Sequence, residues 1–163
     1  MGAVGGRPVE SPVDAAITRM AGQRVYIDTN VFIFFLQQND KYFEIVAPFI
    51  QACFKGQIFA TTGLLAIAEV MVHPYRSGNP AIIAQFKSFF NKKNFLNIVG
   101  HANEHYDTAA MLAGQKKMKL VDAMHYLAAL HSGCQFILTN DRGFVGSDGL
   151  EVIQLDDLVA VSS

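Results

Sequence analysis

The 163-residue sequence has no tryptophan, two cysteines, five prolines and a formal net charge of −1. Two cysteines cannot build a disulfide framework or a four-cysteine zinc site. Cys53 and Cys134 each lie inside an apolar stretch, outside any Cys-x-x-Cys pattern, and read as reduced core thiols, which fits a cytoplasmic setting. No apolar run approaches the roughly 18 residues that a membrane-spanning helix requires. The opening MGAVGGRPVESPVD lacks the apolar core of a secretory signal, and Gly6 stands where a myristoylation signal needs Ser or Thr, so no membrane partner is expected. The near-zero charge removes the global basic footprint of many nucleic-acid binders. A cluster of metal-binding acids would subtract charge that cations restore, so local patches decide that question.

What is present is apolar content: 51% hydrophobic against 17% charged residues, far from the composition of a disordered chain. The length suits one domain. Residues 1–13, rich in Gly, Pro and small side chains, suit a flexible lead-in, although Ser11-Pro12 before Val13, Ala15, Ile17 and Met20 also fits a capped short helix. From Arg24 the pattern alternates. Strands are expected over 24–28, 57–61, 95–99, 135–139 and 151–155, and helices over 30–38, 42–54, 63–73, 80–92, 103–117 and 122–131. Asn79-Pro80 is a cap and first-turn pair, and Gly56 and Gly133 follow helical segments where a left-handed residue ends a helix. Strands joined through helices predict an α/β domain whose parallel sheet is covered on both faces, with its site beyond the strand C-termini.

Four acids fall near that edge. Asp28 ends the first strand, Asp141 follows the fourth, Asp122 opens a helix, and Glu69 lies one to two turns into the helix after the second strand. Each has a structural reading beside the functional one. Asp28, with Asn30, can cap the following helix; Asp122 can complement a helix dipole; Asp141 lies in TNDRG, a turn-forming segment. Glu69 differs, because Leu65, Ile67, Val70 and Met71 surround it and place it near the core. A buried carboxylate needs a cation or hydrogen bonds, and the alternative is a narrow polar face with a basic neighbour. Carboxylates from separate elements can hold Mg²⁺ or Mn²⁺ while leaving coordination positions for phosphate oxygens.

The segments VYIDTNVFI, TTGLLAIAEVMV and KLVDAMHYLAALHSGCQFILTNDRGF, in this order, resemble the PIN-domain family, in particular the VapC-type toxins of toxin–antitoxin systems, over roughly residues 24–156. The resemblance implies a three-layer α/β/α sandwich over residues 24–163; residues 1–23, expected to be a flexible extension, depart from the family, whose members commonly begin a few residues before the first strand. It further implies cleavage of RNA dependent on Mg²⁺ or Mn²⁺. Asp28, Glu69, Asp122 and Asp141 would be catalytic and metal-binding, with Thr139 the small polar residue beside them and Asn30 a support for Asp28. An RNA substrate, a cognate antitoxin and a homodimer are implied partners. The alternative within the same fold is a noncatalytic RNA- or protein-binding module.

Four other features bear on this reading. VFIFFL (31–36) carries more apolar surface than one helix stripe buries, so it is enclosed or faces a partner. HANEH (101–105) fits an inverted zinc-peptidase pattern, but Gly100 and a capping Asn103 are expected to leave His101 outside the helix. His73, His125 and His131 have no ligand-like spacing and are expected to be packing or surface residues. Lys92, Lys93, Lys116, Lys117, Lys119 and Arg142 are candidates for phosphate contacts or for solvated faces.

Overall fold

The computed structural model describes residues 10–147 and 149–159. In chain order the elements are α1 (Pro12–Met20), β1 (Arg24–Ile27), α2 (Thr29–Leu36), α3 (Phe43–Phe54), β2 (Phe59–Gly63), α4 (Leu64–Ser77), α5 (Pro80–Phe90), β3 (Leu96–Val99), α6 (Asn103–Lys116), α7 (Leu120–His131), β4 (Phe136–Thr139) and β5 (Glu151–Gln154), then a 3-10 turn Leu155–Leu158. The five strands form one sheet in the order β3-β2-β1-β4-β5, and every pairing is parallel.

The helices form two layers around this sheet, and the strands alternate accordingly. Val25, Ile27, Ala60 and Leu138 pack with residues of α1 to α5, while Tyr26 and Ile137 face the opposite way toward Ala128 and Ala129 of α7. Ala109 of α6 completes that second layer against Ala123 and Leu127. The apolar run VFIFFL belongs mainly to the larger core: Val31 and Phe32 are buried, Phe32 meets Phe89 and Phe90 edge-on, and Phe34 stacks on Tyr42. Burying a phenylalanine contributes about 1.5–3 kcal/mol, so this cluster holds α2, α3 and α5 together.

Several boundaries differ from the sequence expectation for local reasons. Within the stretch 1–23 expected to be a flexible extension, residues 12–20 are helical: Ser11 Oγ accepts from Asp14 N at 3.1 Å, Pro12 occupies the first turn, and Ala16 and Met20 enter the core. Residues 1–9 lie outside the described residues. β2 starts two residues later than expected because Gln57 and Ile58 still donate to Ala52 O in the turn closing α3, and Phe59 N is the first to reach Gln23 O. α4 continues through Pro74 and stops at Gly78, whose φ of 64° is left-handed. α7 starts at Leu120, two residues before the expected start, and Asp122 is an acid of its first turn.

The strand order positions the site. From β1 the chain steps outward through β2 to β3, then crosses back to lay β4 on the other side of β1. Helical connections therefore diverge at the β1–β4 boundary, leaving a crevice at the C-terminal edge where ligands of open α/β sheets bind. Asp28 and Thr139 stand at that boundary.

Candidate functional site

Asp28 leaves β1 while still in the ladder, its N–H donating to Leu138 O at 3.0 Å. Its carboxylate caps α2, Oδ1 accepting from Thr29 N at 2.8 Å, and Oδ2 accepts the Thr139 hydroxyl at 2.6 Å and a longer contact of 3.4 Å from Asn30 Nδ2. The capping role is thus real and leaves lone pairs for a further ligand. Burial raises the pKa of Asp28; His125, Thr139 and Thr29 oppose that shift, and the charge of Glu69 adds to it.

From β4, Thr139 Oγ1 also accepts Asp141 N at 3.0 Å, and Asn30 Oδ1 accepts Asn140 N at 3.1 Å. Thr139 and Asn30 therefore tie the end of β4 to the start of α2. Asp141 Oδ1 accepts Gly143 N at 2.7 Å, the turn expected of TNDRG, and Gln154 Nε2 donates to Asp141 O at 2.8 Å. Gly143 was legible in the sequence only as a turn residue. A Cβ there would come within 3.0 Å of both Asp122 Oδ2 and Asp141 Oδ1, so its bare backbone lets the two carboxylates approach.

Asp122 reaches the same place from the first turn of α7. Its pKa is pushed up to about 6, first by burial, then by the charges of Asp141 and Asp28 and a hydrogen bond with Asp141; Lys119 opposes this weakly. Among the described residues no Lys, Arg or His forms an ion pair with Asp28, Asp122 or Asp141. Arg142, despite its position in the sequence, pairs with Asp157 at 2.9 Å, and Lys92 lies over the Phe54 ring.

Glu69 follows the alternative weighed from the sequence, a polar face with a basic neighbour, rather than a place near the core compensated by a cation. Its side chain is 37% exposed and paired with His125, Nε2 to Oε1 at 2.5 Å, and Thr29 Oγ1 donates to the same oxygen at 3.0 Å. Burial works to raise its pKa, but the hydrogen bond and charge of His125, with Thr29, outweigh it and leave the group lowered. His125 in turn meets the Tyr26 hydroxyl at 2.7 Å through Nδ1. Sequence reasoning missed His125 and Tyr26. The available signal was that His125 lies three residues after Asp122, hence on a neighbouring part of the same helical face.

Aspartates 28, 122 and 141 thus share one edge, coupled through their charges, with Glu69 beside Asp28. Among the described residues, no three His, Cys, Asp or Glu side chains are spaced to grip one ion unaided. The donor set is nonetheless suited to a hard cation. It is all carboxylate oxygen, like charges press against one another, and among the described residues no basic side chain forms an ion pair with the aspartates. The zinc-peptidase pattern fails on geometry. His101 precedes α6, and its Nε2 is engaged with Met124 O at 2.8 Å, whereas His105 lies within the helix.

A parallel five-stranded α/β/α sandwich with acids gathered at its switch point places carboxylate oxygens where open α/β sheets bind their ligands. A family model described as PIN domain matches residues 25–149. The chain belongs to the PIN-domain family. No curated protein matches it. Among solved structures, a toxin–antitoxin complex from Klebsiella pneumoniae is similar at TM-score 0.61 and 18% identity, covering 80% of this chain and 97% of that one. VapBC2 from Rickettsia felis, bound to a promoter DNA fragment, is similar at TM-score 0.59 and 14% identity, covering 80% and 98%. VapC20 from Mycobacterium tuberculosis, a toxin that cleaves the sarcin–ricin loop, is similar at TM-score 0.57 and 10% identity, covering 69% and 86%. At these identities the likeness is one of fold.

Proposed function

We propose that this protein is an endoribonuclease that hydrolyses RNA phosphodiester bonds with Mg²⁺ or Mn²⁺ held by Asp28, Glu69, Asp122 and Asp141. The observation that carries the reading is the aspartate group at the sheet edge: the charges of Asp28 and Asp141 bear on Asp122, and none of the three forms an ion pair with a basic side chain among the described residues. A divalent cation held there by these acids would supply charge neutralisation, a more acidic water for attack on phosphorus and stabilisation of the departing oxygen. The chain's own residues orient the acids. Thr139 and Thr29 hold Asp28, the Gly143 amide holds Asp141, and Thr29 with His125 holds Glu69.

Membership of the PIN-domain family and the likeness to toxin–antitoxin structures support a toxin of the VapBC type, acting in the cytoplasm as a homodimer and restrained by a cognate antitoxin. The test is cleavage of purified structured RNAs, tRNA included, with Mn²⁺ or Mg²⁺ and with EDTA, by the unaltered protein, Asp122→Asn and Asp28→Asn. Cutting that requires the cation and falls at least 100-fold in both variants is expected. Undiminished cutting by both folded variants would remove the acids from the chemistry. Absence of cutting by the unaltered protein across RNAs would favour the binding module.

A further inference from the structure

We propose that His125, backed by Tyr26, is a positioning residue for Glu69: a buried relay from β1 through α7 fixes which oxygen of that carboxylate is left open to the site. The proposal rests on the nuclease reading above and assigns a role to two core residues that would otherwise count as packing.

The hydrogen bonds define the relay. Tyr26 is fully buried and His125 is 2% exposed, so their polar atoms must find partners within the protein. Gly63 N–H donates to the Tyr26 hydroxyl oxygen at 3.2 Å, and that hydroxyl meets His125 Nδ1 at 2.7 Å. The Glu69 carboxylate only accepts, so the proton in its contact with His125 sits on Nε2, and Nδ1 of the imidazole is left to accept from the Tyr26 hydroxyl. The carboxylate thus sets the tautomer, and the Tyr26 hydroxyl, which can donate to Nδ1, holds the ring in it.

Thr29 donates to the same oxygen from α2, so Oε1 is pinned by two elements. Oε2 has no protein donor among the described residues and is the oxygen available to a ligand. Glu69 is partly exposed on a flexible side chain, and without these donors it would sample solvent-facing rotamers. A misplacement of about 1 Å in a catalytic group can cost on the order of 100-fold in rate. Gly63 belongs to the same device. A Cβ at that position would stand 2.8 Å from the Tyr26 hydroxyl and displace the group that orients the imidazole.

The test compares tRNA cleavage in saturating Mn²⁺ by the unaltered protein, His125→Leu, His125→Gln and Tyr26→Phe, per folded molecule as judged by circular dichroism. NMR of the unaltered protein's imidazole reads the tautomer alongside. The expected pattern is a 10- to 100-fold fall in kcat for His125→Leu, recovery to within about fivefold for His125→Gln, whose amide can donate from a similar reach, and a smaller loss for Tyr26→Phe. The Nε2-protonated tautomer is expected. A folded His125→Leu cutting within threefold of the unaltered protein, a His125→Gln no better than His125→Leu, or an Nδ1-protonated tautomer would overturn the relay. If His125→Leu does not fold, Tyr26→Phe, which removes only a hydroxyl, decides: undiminished cutting overturns the proposal. Failure of the unaltered protein to cut overturns the nuclease reading and the relay together, and is recognised before any variant is compared.

Discussion

At the scale of single residues, the site shows one set of groups serving two purposes whose energetics conflict. Asp28 caps α2 and Asp141 closes a turn, so both stabilise local structure, yet their charges bear on Asp122 and push its pKa up to about 6. An aspartate whose folded-state pKa lies above its unfolded value retains its proton longer in the native chain. Between about pH 4 and 6 the native state therefore binds more protons than the unfolded one, and stability falls as pH rises through that window. Asp122→Asn removes the repulsion. In metal-free buffer it should raise the melting temperature relative to the unaltered protein at pH 7.5, with the gain shrinking toward pH 4.5. Thermal melts at the two pH values check this, and a gain equal at both would show that repulsion is not the cause.

At the scale of elements, the first helix shows how a few local signals can outweigh a flexible-looking composition. Ser11 supplies the cap, Pro12 the first-turn φ, and Met20 the anchor at the far end of α1, fully buried beneath the larger core. Arg19 reaches Glu151 of β5 in a two-oxygen contact at 2.6 and 2.5 Å, but the pair is exposed and contributes little. Ser11→Ala should then cost about 1 kcal/mol, or roughly 2–4 °C in melting temperature for a domain of this size. A calorimetric shift indistinguishable from zero would mean that packing alone holds α1. The remaining elements were largely legible because their signals are local. Asn79 caps α5, accepting from Ala81 N at 3.0 Å, and Gly56 and Gly133 take φ of 73° and 76° at the ends of helical segments. The misplaced edges, at β2 and at Pro74, are where hydrogen bonding to distant or preceding backbone decides the boundary.

At the scale of the whole molecule, the site is a product of strand order. Residues 28 and 139 are 111 positions apart and share a 2.6 Å hydrogen bond because β4 returns to lie against β1. A ligand that bridges the acids would therefore bridge the outer ends of separate elements, and should stabilise the entire cooperative unit. Saturation at 100 times Kd is worth about 2.7 kcal/mol, so Mn²⁺ at that level should raise the melting temperature by roughly 5 °C or more. Asp28→Asn should blunt the shift. No shift in the unaltered protein at millimolar Mn²⁺ would count against a cation at this edge and for the noncatalytic binding module.

The sequence by itself determined the alternation of strands and helices, the parallel α/β class and the identity of the candidate acids, since hydrophobic periodicity, caps and turn residues act within a few positions along the chain. Only the tertiary structure decided that Glu69 is tied to His125 rather than buried alone, that Tyr26 stands behind that imidazole, and that Gly143 clears space for Asp122 and Asp141. Apart from the Asp141–Gly143 turn, those contacts join residues 21 to 99 positions apart, from the Asp122–Gly143 pair to the Tyr26–His125 pair. Their existence depends on strand order and helix rotation, which short-range patterning of apolar residues does not specify.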